Sequence, residues 1–192
     1  MCYFITATIS GAGAAELNDV LRGAGSGVRF EPALNPHVQA QLDAGESYLA
    51  HKASGCDCDT WLGAATRHRP TADRVGRLRA RGWSEARIER WLLETEGAAA
   101  RLAARQASPH HGDPATGEPW IAVIGAALSH PRVTSFGLLL HFYSGSIDAE
   151  SFQFERVDRP LAALTPDVLA AMPEDTLLSF SRGRSGAHRG FR

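Results

Sequence analysis

Residues 132–145 read RVTSFGLLLHFYSG. Successive side chains of a strand point to opposite faces. Here both faces are apolar: Phe136, Leu138, Leu140 and Phe142 share one, while Leu139, His141 and Tyr143 share the other. A strand of that pattern is covered on both sides and belongs in the middle of a sheet. A histidine in such a place is either a core residue with satisfied nitrogens or a base facing a pocket, with Tyr143 or Glu150 near it.

The first residues supply a second strand. CYFITATI (2–9) sets Tyr3, Ile5, Ala7 and Ile9 against Cys2, Phe4, Thr6 and Thr8, the alternation of a half-buried strand rather than the leader of a secreted chain. Ser10 and Gly11 turn it into a short helix over AGAAELNDVLRG, with Leu17, Val20 and Leu21 on one side. VRFEPAL (28–34) and ESYLAHK (46–52) read as further strands, with Asn35-Pro36 and a helical turn in 37–44 between them. Asp59 or Thr60 is placed to cap a short helix through Trp61, Leu62 and Ala65.

Two longer helices follow, Thr71–Arg81 and Ser84–Ala107, joined by Gly82 and Trp83 as a helical hairpin. SPHHGDPATGEP (108–119) is a polar loop. WIAVIGAALS (120–129) fits helix or strand by periodicity; Pro119 before it and His130-Pro131 after it favour a buried helix. Beyond 132–145, ESFQFERV (150–157) alternates and is expected to return as a hairpin. Thr165-Pro166-Asp167 opens a short helix to Met172, and TLLSF (176–180) is the last strand. Strands at both ends with helices between them predict one α+β domain over 1–180. Its sheet is mostly antiparallel, with a central helical hairpin, additional short helices and a flexible Arg-rich tail at 181–192.

The bulk numbers agree with one core: 192 residues, 44% hydrophobic and 21% charged. No apolar run approaches the ~20 residues that span a bilayer, so no membrane partner is expected. Three cysteines, an odd and low count, argue for a reducing compartment, the cytoplasm. Arginine supplies all basic residues but Lys52, a usage that suggests a bacterial genome. The net charge of −1 is uneven: residues 67–105 carry +5 and the tail 181–192 carries +4, leaving −10 elsewhere. A basic arm beside an acidic body suits an anionic partner, or packs half against half.

The densest chemistry is GCDCDTWLG (55–63). In an extended segment Cys56 and Cys58 face one way and Asp57 and Asp59 the other. With His51 just before them and Cys2 on a neighbouring element, they make a candidate Cys3His set. Thiolate and imidazole are the ligands zinc selects. Four close a structural site, and three leave a place for an activated water, with Asp57 or Asp59 as supporting or proton-transfer groups. The leading functional expectation is thus a divalent, zinc-like site, structural or hydrolase-like, with Asp57, Asp59 and His141 as catalytic candidates.

Two rivals stand beside it. One is a non-catalytic protein-binding module, such as an immunity- or antitoxin-type partner, docking by its charged surfaces. The other grips an anion or nucleic acid through Arg74, Arg77, Arg81, Arg87 and Arg90 of the helical hairpin; Glu85, Glu89, Glu94 and Glu96 in the same helix oppose nucleic acid. SGAGAAE after the first strand resembles the start of a dinucleotide fingerprint, but Glu16 stands where its third glycine falls. The Met1-Cys2 start resembles those of N-terminal-nucleophile amidotransferases and of small DNA-crosslinking domains, with Tyr3 where those continue with glycine.

Overall fold

β1 (Cys2–Ser10) and β4 (Ser135–Tyr143) pair antiparallel along their whole length, from Cys2 opposite Tyr143 to Ser10 opposite Ser135. The remaining strands are laid to either side of this pair. The computed structural model describes residues 2–51, 57, 62, 71–94 and 118–183. The other strands are β2 (Phe30–Pro32), β3 (Glu46–His51), β5 (Glu155–Pro160) and β6 (Thr176–Ser181), in the order β2-β3-β1-β4-β6-β5. Every neighbouring pair is antiparallel except β5 with β6. The helices are α1 (Ala14–Gly23), α2 (Pro36–Gln39), α3 (Thr71–Ala80), α4 (85–94), α5 (Glu118–Ser129) and α6 (Pro166–Ala170). This is the expected α+β architecture, with α3 and α4 as the helical hairpin and 118–129 as helix; residues 95–107 of the expected second helix lie outside the described residues. Among the described residues no helix is long and apolar enough to cross a membrane.

Alternation assigns the two faces. Ile5, Ala7 and Ile9 of β1 and Phe136, Leu138, Leu140 and Phe142 of β4 face α1, α4 and α5. They pack on Leu17 and Leu21, Ile88 and Trp91, and Val123, Ile124 and Leu128. Each such side chain removed from water contributes about 1.5–3 kcal/mol. The second face carries Tyr48, Leu139, Tyr143 and Leu177, covered by Val38 of α2 and by Phe152.

Two glycines are required here. Gly11 has φ +85° and lies so close to the Arg132 carbonyl that a Cβ would stand 1.9 Å from its oxygen. Gly11, the first glycine of the stretch that resembles a dinucleotide fingerprint, thus serves a tight strand-to-helix turn. Gly137 faces Thr8, whose Oγ1 would lie 2.6 Å from an added Cβ.

The expected hairpin of 150–157 onto β4 does not form; β6 takes that place beside β4. Residues 144–154 instead cross the second face, where their alternating Phe152 and Phe154 find apolar cover. Asn35, wholly buried, holds this crossing: it caps α2 by accepting from the His37 and Val38 N–H groups and donates to the Ile147 and Glu150 carbonyls. Gln41 donates to the Phe152 carbonyl and accepts from the Phe154 N–H. β5 then reaches β6 through the 3-10 turn Leu161–Ala163 and α6, the crossover that a parallel pair needs.

Arg156 of β5 forks onto Glu46 of β3, at 2.8 and 2.9 Å. Four strand spacings on a flat sheet would be about 19 Å, so the sheet coils to bring these edges together. The Glu46 hydrogen bonds, against a smaller burial effect, raise the Arg156 pKa above its ordinary value.

Candidate functional site

β4 points His141 to the second face, and the crossing segment closes over it. The imidazole is wholly buried. Phe152 lies flat against it, ring centroids 3.5 Å apart, and Tyr143 meets it edge-on at 4.4 Å. Both edges of the ring face carboxylates. Nδ1 is 2.5 Å from Asp175 Oδ1. Among the described residues Nε2 has no hydrogen-bond partner; it lies 3.6 Å from Glu150 Oε1.

Each carboxylate is positioned by its own element. Asp175 precedes β6 and has φ 57°, a left-handed conformation that costs a non-glycine residue on the order of 1 kcal/mol. Its backbone is fixed on both sides, its N–H donating to the Leu140 carbonyl and its carbonyl accepting from Glu155 N–H. Asp175 Oδ2 accepts from Arg81 at 2.6 Å, and the same guanidinium comes within 3.9 Å of Glu174. Tyr3 donates to Glu174 Oε2 at 3.4 Å. Glu150 Oε2 accepts from the Ser144 and Gly145 N–H groups at 2.7 Å, and its Oε1 accepts from the Ser144 hydroxyl at 3.0 Å.

One donor atom each from His141, Glu174 and Asp175 lies within 4.8 Å of the others. Beside them opens a cleft of about 410 Å³ lined by Arg81, Trp83, Ser144, Glu150, Ser151, Phe152, Gln153 and Asp175, a size suited to a small molecule.

The ring position restricts its hydrogen-bond states. A neutral imidazole has one N–H and one lone pair. Between two carboxylates, whichever nitrogen carries the lone pair is set against an oxygen. Three arrangements avoid this: a ring carrying both protons, a proton on the carboxyl that faces the lone pair, or a proton on Nε2 with a cation at Nδ1.

The nearby phenols are fixed dipoles. The Tyr48 and Tyr143 hydroxyls are 2.9 Å apart and buried. Burial raises both pKa values above the ordinary tyrosine value, and for Tyr143 the neighbouring Tyr48 adds to the effect.

Cys56, Cys58 and Asp59 lie outside the described residues. Cys2 begins β1 in register with Tyr143. His51 ends β3 opposite Phe30, its Nε2 2.7 Å from Asp57 Oδ1. Asp57 Oδ2 accepts the Ile5 N–H at 2.8 Å, continuing the β1 ladder where β3 stops. Trp120 meets the His51 ring edge-on. Of the hairpin arginines, Arg81 joins the His141 cluster, Arg87 lies over the Trp83 ring at 4.0 Å, and Arg90 is exposed. Arg74 and Arg77 belong to α3, with side chains outside the described residues. Glu174 and Asp175 went unmarked in the sequence. The pattern Pro-Glu-Asp before an apolar strand reads as a connector, and only the pairing of β6 with β4 brings it under His141.

The chain matches no protein-family model, no curated protein and no solved structure.

Proposed function

We propose that the protein is a divalent-cation enzyme of hydrolase type, its ion held by His141 Nδ1, Glu174 and Asp175 beside the cleft. The observation that carries this reading is the wholly buried ring set between two carboxylates, with Nε2 unpartnered among the described residues. An ion at Nδ1 would put the ring proton on Nε2, 3.6 Å from Glu150 Oε1, where an approach of about 0.5 Å would complete a hydrogen bond to that carboxylate. That is the carboxylate–histidine–metal order that orients a ligand ring. Arg81 occupies Asp175 Oδ2 and leaves Oδ1, the oxygen beside His141, for the ion. Bonds of about 2.0–2.2 Å place donors roughly 3–4 Å apart, so separations within the group change by roughly 1–2 Å. One imidazole and two carboxylates suit zinc or manganese. A divalent ion on three protein donors leaves a position for a water, which it makes acidic enough to act near neutral pH.

The test is elemental analysis and calorimetric zinc titration of tag-free protein. One equivalent is expected to bind to the wild type, and Glu174→Gln and Asp175→Asn to weaken it at least tenfold, about 1.4 kcal/mol. Unchanged binding in both variants would remove the proposal.

A second reading has its own support. A carboxylate on one ring nitrogen prepares the other as a ligand, and Asp57 is so placed on His51. A zinc site of His51 with Cys2, Cys56 and Cys58 predicts loss of the ion in Cys56→Ser and not in Glu174→Gln. Docking of a protein partner, or of nucleic acid on the hairpin, has less support. Arg81 is tied to Asp175 and Arg79 to Glu85, which leaves less unpaired charge for a polyanion. The low cysteine count supports a cytoplasmic setting.

A further inference from the structure

We propose that the cleft beside His141 receives a phosphate ester, its phosphoryl oxygens shared between the bound cation and Arg81. This rests on the metal reading above and adds the substrate class to it. Glu150 and Asp175 line this end of the cleft with Arg81, and Glu174 lies 3.9 Å from the same guanidinium. Without an ion the balance is negative and repels an oxyanion. A divalent ion on Glu174 and Asp175 neutralises those two. Glu150 keeps its charge, held away by the Ser144 and Gly145 N–H groups and the Ser144 hydroxyl, and Arg81 offsets it, so the loaded site is neutral and no longer repels an oxyanion.

The guanidinium has the donors for this. It presents five N–H groups in a planar fork that matches phosphate. Among the described residues its hydrogen bond is to Asp175 alone, and Glu174 at 3.9 Å lies beyond hydrogen-bond reach. Ser151 and Gln153 add hydrogen-bonding groups along the same wall. An arginine beside a metal ion is the pairing that holds a transferring phosphoryl group.

The experiment is calorimetric titration of inorganic phosphate into protein loaded with one equivalent of zinc and freed of excess ion. Saturable binding is expected in the loaded wild type and in loaded Arg90→Gln, with binding at least tenfold weaker in loaded Arg81→Gln, only partly restored in Arg81→Lys, which keeps the charge but not the fork, and absent from the ion-free protein. A zinc-loaded wild type that takes up no phosphate would overturn the phosphate assignment while leaving the metal centre standing. Equal binding by Arg81→Gln, or equal loss in Arg90→Gln, would overturn it as well. Failure to load zinc at all would remove the metal centre itself and this assignment with it.

Discussion

Asp175 places a carboxylate oxygen 2.5 Å from His141 Nδ1 and adopts a left-handed backbone to do so. Asparagine tolerates that backbone as well as aspartate does, so Asp175→Asn separates charge from conformation. The variant is expected to fold, with a melting temperature within a few degrees of wild type, and to lose zinc affinity at least tenfold. Asp175→Gly relaxes the backbone and leaves a hole beside a buried imidazole. Zinc affinity retained in Asp175→Asn would mean that the carboxylate serves the fold alone.

Asn35 controls the same site from a distance. Its side chain caps α2 and donates to the Ile147 and Glu150 carbonyls, so it fixes the segment that carries Glu150 and Phe152 over His141. Asn35→Ala removes a cap and leaves buried carbonyls without donors, an expected loss of about 2–3 kcal/mol by urea denaturation. Asn35→Asp keeps the cap acceptor but sets a carboxylate against the two carbonyls, and should lose a similar amount. Hydrogen exchange across 144–154 should accelerate in both. Protection equal to wild type would show that Gln41 and the aromatic packing hold the crossing unaided.

The dependence on such crossings explains what the sequence revealed and what it hid. The phases of β1 and β4 were legible because alternation is local: each residue's neighbours two positions away state its face. His141 was legible as a candidate for the same reason, in phase with Leu139 and Tyr143. Strand partners were not. ESFQFERV alternates as a hairpin arm would, yet Phe152 and Phe154 serve as a cover for the sheet. Whether an alternating segment joins a sheet or lies on it depends on which strand arrives later beside β4. Glu174 and Asp175 acquire their role only from that later arrival. The CDCD segment drew notice by ligand density, but of its four residues only Asp57 is described, and it accepts hydrogen bonds from β1 and His51.

Glu46 and Arg156 make a second test of the coiled sheet. Glu46 is nearly buried, and Arg156 is about one quarter exposed. Arg156→Met leaves the nearly buried Glu46 charge without its guanidinium, at about 3 kcal/mol, the low end expected for a buried bridge. Glu46→Gln should cost less, because Asp43 and Asp158 still pair with Arg156. The double variant Glu46→Leu with Arg156→Met should cost less than Arg156→Met alone, because no buried charge remains unpaired. Strict additivity in urea denaturation would show that the two residues do not act as a pair.

The buried Tyr48 phenol predicts how stability falls in alkali. Its folded pKa is raised, chiefly by burial, with the Thr6 and Tyr143 hydrogen bonds acting the other way. In the unfolded chain a tyrosine loses its proton near pH 10. Above that pH the unfolded state binds fewer protons than the folded state, so the equilibrium moves toward unfolding as pH rises. The Tyr48 contribution is therefore complete below about pH 10 and declines above it. Tyr48→Phe lacks the hydroxyl pair with Tyr143 and should be about 1 kcal/mol less stable at pH 8. It also lacks the group that titrates, so its gap from wild type should narrow as the pH rises past 10. Urea midpoints for both proteins at pH 8, 9.5 and 10.5 measure this directly. A gap that stays constant or widens over that range would mean that the phenol ionises in the folded protein as easily as in the unfolded chain.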